Sequence, residues 1–362
     1  MSSDDSSAEA SDDPLRDPAV RYAKQVRFEP LGGEAAQRRL AASHVVLCGC
    51  GALGSAVADQ LVRAGVGRLT IVDRDFVEAS NLQRQSLFTE DDARERLPKA
   101  VAATERLRAV NGLVSVEPTV ADMTAATIGG LCENCDLIVD GTDNFATRLL
   151  LNDYAVRESI PWVYGGVVGA EGRVMPIVPG RTACLACLLP EPPGPGETLT
   201  CDSAGVLGPA VGVVASLQAI EAMKLLAGAG EALSTGLTVV DLWSGRWRRL
   251  DVPRDPNCRA CGLRRFDWLE ADASGSAAVL CGRNAVQISP PAGSPTLDFA
   301  TMRATLAPLG EVSGNAHLLR FRPSGDPAGE VEVTLFRDGR AIVGGVEEES
   351  IARSVLSRCL GV

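Results

Sequence analysis

Histidine is nearly absent: the 362 residues include two, His44 and His317. Both stand at the start of strand-like runs with no Ser or Cys partner in view, so a hydrolytic triad has no support. A basic surplus is missing too, since 35 Lys and Arg face 46 Asp and Glu, for a net charge of −11. That balance argues against broad binding to nucleic acid or to an anionic membrane. The N-terminus lacks an apolar run. Residues 1–17 hold six acids and one base, Arg16, in a Ser/Ala/Asp background, which predicts a solvated acidic tail over 1–19 rather than a signal peptide. The longest uncharged stretch, Ser203–Ile220, is broken by Gly205, Gly208, Pro209 and Gly212 and carries Gln218, so it predicts a buried helix instead of a membrane span. Eleven cysteines, an odd number, with no secretory signal, point to thiols and metal ligands in the cytoplasm and not to a disulfide framework.

What is present is globular: 46% apolar and 22% charged residues, with length for about two domains. His44–Gly49 is a β-branched apolar run ending in glycine, and it leads straight into a helical stretch, Ala52–Ala64. Leu69–Asp73 (strand), Pro98–Val110 (helix), Val114–Pro118 (strand), Leu137–Asp140 (strand) and Phe145–Glu158 (helix) follow. This alternation predicts an α/β fold with a doubly wound, Rossmann-like parallel sheet. A proline-rich crossover at 190–196 precedes an apolar helix near Val206–Leu226, and strands are expected near Leu237–Leu242 and Trp247–Val252. Residues 271–295, rich in Ala, Ser, Gly and Pro, predict a linker that can hold one short strand, at Ala278–Leu280. The remainder, 296–362, reads as a small α+β unit.

Gly49-Cys50-Gly51-Ala52-Leu53-Gly54 is a G-x-G-x-x-G at a strand-to-helix turn, where backbone N–H groups and a helix N-terminus can approach phosphate. Asp73 ends the next strand, where a carboxylate can accept ribose hydroxyls. These features alone say only that a nucleotide binds. Beyond strand ends lie Asn81, Arg84 and Gln85 in SNLQRQ, Lys99 after Pro98, and Asp143-Asn144 after Thr142. Arg and Lys so placed can neutralise a triphosphate, and an Asp in a switch-point loop can hold magnesium. A nicotinamide-dependent dehydrogenase shares the glycine turn and Asp73 but needs none of these.

Cys184-x-x-Cys187 and Cys258-x-x-Cys261 have the form of two zinc knuckles, together a closed tetrathiolate site that supports folding and leaves no position for catalysis. Cys201 follows the proline-rich crossover and precedes a helix, so it is either a transfer thiol or a buried packing residue. Cys48, Cys50, Cys132, Cys135, Cys281 and Cys359 read as packing residues.

Taken together, the Arg21-Tyr22-x-x-Gln25 opening, GCGALG, VDRD, SNLQRQ, PK, DGTDN, both C-x-x-C pairs and TCDSAGVLGP resemble the ThiF/MoeB family of adenylyltransferases, within the ubiquitin-activating-enzyme superfamily. The resemblance covers about residues 20–265, with 20–270 as the adenylation domain. It implies a doubly wound sheet with an antiparallel extension, a structural zinc and a homodimer. It also implies ATP-dependent adenylation of the C-terminal glycine of a ubiquitin-like sulfur carrier of MoaD or ThiS type. By matching position, Gly49, Gly51, Ala52 and Gly54 form the nucleotide turn and Asp73 binds ribose. Asn81, Arg84, Gln85 and Lys99 contact phosphates, and Asp143, followed by Asn144, holds magnesium. Lys24 stands where the family has an arginine that reaches the partner subunit's triphosphate, and Ala52 stands where it has glycine. Cys201 matches a thiol that forms a thioester in some members. The C-terminal unit is too short for a normal rhodanese domain and lacks a Cys-x4-Arg loop, so sulfur transfer within this chain is not expected, and a separate sulfurtransferase is among the partners the resemblance implies. A silent scaffold that binds a ubiquitin-like partner is the other alternative. The C-terminal unit itself is expected to dock a partner or support a dimer.

Overall fold

The computed structural model describes residues 13–192, 201–270, 277–280, 284–290, 294–324 and 331–360. The first twelve residues, positions 193–200 of the crossover, Cys281 and the side chain of Cys201 lie outside the described residues.

Eight strands form one mixed sheet: β1 (His44–Cys48), β2 (Arg68–Val72), β3 (Ser115–Thr119), β4 (Leu137–Asp140), β5 (Trp162–Val168), β6 (Glu171–Ile177), β7 (Leu237–Asp241) and β8 (Arg246–Leu250). Their order is β3-β2-β1-β4-β5-β6-β7-β8. The pairings from β3 to β5 are parallel and those from β5 to β8 antiparallel. Strand order reverses between β1 and β4, and in open α/β sheets a crevice for ligands opens at the carboxyl ends of the strands on either side of such a reversal.

The central strands are apolar on both faces because both faces are covered. Along β1, Val45 and Leu47 enter one core with helix Ala52–Ala64, while Val46 and Cys48 enter another with helix Phe145–Glu158. The helix anticipated near Val206–Leu226 spans Gly208–Ala227 and packs on helix Ala52–Ala64 and on β5 and β6. It is long and apolar enough to cross a membrane, yet Val211, Val214, Ala215 and Ala222 are buried in the first core.

A second, antiparallel sheet contains β9 (Ala277–Leu280), β10 (Ala285–Ile288), β11 (Gly310–Gly314), β12 (Leu318–Pro323), β13 (Glu332–Phe336) and β14 (Ala341–Gly344), in the order β11-β12-β13-β14-β10-β9. The segment expected to be a linker, 271–295, therefore supplies two strands. Its Gly, Ser and Pro content hides the short run AVQI, which pairs locally with β9 and on its other edge with β14, some 55 residues later. One face of this sheet is covered by helices Phe299–Leu306 and Glu349–Leu360. The other closes over Phe76 of the first sheet's loops, through Ala285, Leu318, Phe336 and Ile342.

At the edge of that contact Glu332 accepts hydrogen bonds from Arg96 Nη1 (2.8 Å), Arg320 Nε (3.0 Å) and Arg322 Nε (3.0 Å). Burial alone would raise its carboxyl. The Arg320 hydrogen bonds and the charges of Arg96, Arg320 and Arg322 outweigh this and hold it below the ordinary glutamate value. A carboxylate with a depressed folded-state pKa stabilises the fold above its unfolded value, roughly 4.3, and that contribution is lost as pH falls through the folded value. Glu332→Gln should thus cost about 1–2 kcal/mol at pH 7, and its thermal-denaturation gap from wild type should close as the pH is lowered below about 4.

Candidate active site

The glycine turn is packed backbone against backbone. A Cβ on Gly54 would lie 2.0 Å from the Gly49 carbonyl oxygen, and one on Gly141 would lie 2.3 Å from the same oxygen. Gly49 itself has φ +87°, a left-handed conformation that favours glycine. Only with glycine at all three positions can the ends of β1 and β4 and the first turn of helix Ala52–Ala64 meet. That helix begins at Ala52 behind Gly51, which offers no side-chain cap, so its first N–H groups are directed at the crevice without a capping side chain.

Asp73, buried at the end of β2, accepts N–H bonds from Cys50 (2.6 Å) and Asp75 (2.7 Å). Burial pushes its carboxyl above the usual range; the nearby Lys99 charge opposes this and Asp75 adds to it. Lys99, the first residue of helix Lys99–Val110, is 5% exposed at its side chain and reaches Asp75 Oδ2 at 3.2 Å. Pro98 caps this helix and does not enter its first turn. This places a buried ammonium, paired with Asp75 and near enough to Asp73 to act on its charge, beside the glycine turn.

The SNLQRQ segment begins as the short 3-10 helix Ala79–Asn81. Asn81 is buried, its Oδ1 accepting the Glu78 N–H at 3.2 Å. Arg84 donates to the Ser80 carbonyl at 2.7 Å. Gln85 is buried with Nε2 4.0 Å from where a Cβ of Gly51 would stand, and its Oε1 has no hydrogen-bond partner among the described residues, so hydrogen-bonding capacity remains at the turn. Asp143 is exposed just past β4, in the field of Arg74 and Arg148. The Asn144 oxygen is committed to capping helix Phe145–Glu158 through the Thr147 N–H (2.8 Å). Lys24 is exposed on the short helix Ala23–Val26, whereas Tyr22 and Gln25 of the same motif bond Asn111 and Ala64 and serve packing.

Two residues essential to this geometry were not singled out from the sequence. Asp140, fully buried at the end of β4, pairs with Arg148 Nε at 3.0 Å and accepts the Thr142 N–H and hydroxyl at 2.9 and 2.6 Å. Arg148 Nη2 donates in turn to the carbonyls of Thr142 (2.6 Å) and Gly165 (3.1 Å). This network fixes the loop that carries Asp143. An acid at a strand end followed by an arginine one turn into the next helix is the signal that could have revealed it.

The four knuckle thiols converge, with all four Sγ atoms within 4.8 Å of one another and Cys184 3.6 Å from Cys258, Cys187 3.4 Å from Cys261. A tetrahedron with metal–sulfur bonds of about 2.3 Å has edges near 3.8 Å, so the spacing fits zinc. Asn152 accepts the Leu185 N–H at 2.8 Å and lies 3.8 Å from Cys184 Sγ, and Asp153 pairs with Arg259 Nη1 at 2.8 Å. Helix Phe145–Glu158 thereby ties both knuckles to the sheet.

Residues 22–260 match the ThiF family. The chain belongs to that family. It is 43% identical over 345 residues to the sulfur carrier protein ThiS adenylyltransferase of Bacillus subtilis, a match covering 94% of this chain and 99% of that protein. It is 36% identical over 259 residues to the molybdopterin-synthase adenylyltransferase of Escherichia coli, covering 70% of this chain and 99% of that one. A crystal structure of MccB from E. coli shares the fold, with a TM-score of 0.60 and 23% identity over 69% of this chain and 75% of that one. As a ThiF-family adenylyltransferase the chain must keep its crevice loops in place, and the Asp140–Arg148 pair does this. Removing one partner of a buried pair strands the other charge, so Arg148→Met should cost about 3–5 kcal/mol in denaturant unfolding, more than Arg148→Lys.

Proposed function

We propose that this enzyme uses ATP to adenylate the C-terminal glycine carboxylate of a small ubiquitin-like sulfur-carrier protein of MoaD or ThiS type. The reading rests on the grouping of Lys99, Asp73, Gln85 and the Asp143 loop at the glycine turn, in a chain similar over nearly its whole length to a sulfur carrier protein ThiS adenylyltransferase. A dehydrogenase has no use for the buried Lys99 or the Asp143 loop, and a silent scaffold has no reason to retain them.

A carboxylate oxygen of the carrier attacks the α-phosphorus. The bond from that phosphorus to the bridging oxygen of the β-phosphate breaks, and pyrophosphate leaves with the electron pair. No enzyme nucleophile is required. The protein contributes positioning and charge neutralisation, with Lys99 and Arg84 facing the phosphates and Lys24 acting across a homodimer. Asp143, an exposed carboxylate at a strand end, suits a magnesium ion bound mainly through phosphates, which would neutralise developing charge. Cys184, Cys187, Cys258 and Cys261 would hold zinc as a structural ion. A separate sulfurtransferase completes the reaction sequence, in the cytoplasm.

Asp143→Ala is expected to lower carrier-dependent ATP–pyrophosphate exchange at least about 100-fold with an unchanged circular dichroism spectrum, while Cys201→Ala keeps the exchange. Metal analysis should find one zinc per chain, and chelation should lower the melting temperature before it inhibits exchange at low temperature.

A further inference from the structure

Nothing in adenylation chemistry calls for the six-stranded C-terminal sheet, and the face that its helices leave free is not bare. That face lies on the nucleotide-side loops of the first sheet. We infer that the C-terminal sheet is a positioning element for the nucleotide site, and that Arg340 and Gln287 act through the loops that carry Asp73 and Lys99. The inference deepens the adenylation reading and rests on it.

The contacts fall on three segments that leave the carboxyl ends of β2 and β3 or lead into Lys99. On the segment after β2, Phe76 is 5% exposed among Ala285, Leu318, Phe336 and Ile342. Arg340, itself 3% exposed, has its guanidinium 4.6 Å from the Phe336 ring centre and directs Nη1 to the Arg74 carbonyl at 3.4 Å. On the segment after β3, Asp122 Oδ2 accepts from Arg74 Nη1 (3.0 Å) and from Gln287 Nε2 (2.9 Å), so one carboxylate oxygen joins the two sheets. Ahead of Lys99, Arg96 pairs with Glu332 at 2.8 Å and Asn315 donates to the Glu95 carbonyl at 3.0 Å.

The inner side of the same segments is tied to the site. Phe76 bridges Pro98, the Lys99 N–H donates to the Asp75 carbonyl at 2.9 Å, and the Asp75 N–H donates to Asp73 at 2.7 Å. From Arg340 to Asp73 there is thus one backbone segment, gripped from outside by the second sheet and read from inside by the nucleotide turn. Strand-end loops are ordinarily the mobile part of such a fold. Here the second sheet removes that freedom, so the ordering is complete before ATP arrives and need not be supplied by its binding.

The test uses the full chain and two readouts: ATP affinity by calorimetry, and steady-state carrier-dependent pyrophosphate exchange. Gln287→Ala and Arg340→Ala should each weaken ATP binding and raise its KM by roughly three- to tenfold, with kcat within about twofold, and Arg340→Lys should recover part of the loss. Arg337→Ala is the control. Arg337 stacks on Phe299 at 4.8 Å on the opposite face of the same sheet, so its loss should lower the melting temperature and leave ATP affinity alone. If Arg340→Ala does not fold, Arg96→Ala replaces it. Unchanged ATP affinity in the interface variants, or an equal loss in Arg337→Ala, overturns the inference. A wild-type protein that binds ATP but exchanges with no carrier would overturn the adenylation reading instead, and the calorimetric comparison would still decide the positioning role.

Discussion

The carbonyl oxygen of Gly49 occupies the space where side chains at positions 54 and 141 would otherwise stand. Because that space is filled by backbone, β1, β4 and the first turn of helix Ala52–Ala64 converge more closely than side chains would permit. The distances across the crevice follow from this approach. Asp73 reaches the Cys50 N–H, Gln85 reaches over Gly51, and the loop after β4 is brought to the same crevice. A methyl group at Gly54 or Gly141 would separate these parts before it disturbed any charged residue.

Close approach of backbone leaves the charges to be arranged around it, and the arrangement is economical. Lys99 is buried against Asp75 and faces Asp73, so the acids that anchor the turn also hold the cation that would otherwise be costly to bury. Asp140 does the same for Arg148 on the other side of the crevice. Each pair is supported by backbone hydrogen bonds, which is the condition under which buried ion pairs are tolerated.

The parallel half of the fold and the glycine turn were legible because their signals are local: a β-branched run, a glycine, an apolar helix and an acid occur in order within thirty residues. The four thiols were legible because metal geometry imposes a spacing. The β5–β6 hairpin was not anticipated: Trp162–Ile177 carries Gly165, Gly166, Gly169 and Gly172, and nothing local shows which of them turns the chain. Arg148 looked like one more helix base until the fold returned it to Asp140. The contacts of Gln287 and Arg340 could not be read at all. Asp122 and Gln287 are 165 positions apart, Arg74 and Arg340 266, and nothing near any of them announces a partner.

The outer strand β8 has every residue exposed, including Trp247 and Leu250, and its far edge has no strand beside it in the described chain. A bare edge with aromatic and aliphatic side chains is a template for indiscriminate pairing between molecules. Arg246, Arg248 and Arg249 stand in the same five residues, so two such edges meeting antiparallel would bring six guanidinium groups together. Like charge thus sets a solubility limit that depends on salt: high ionic strength would screen the repulsion and leave tryptophan and leucine to govern self-association.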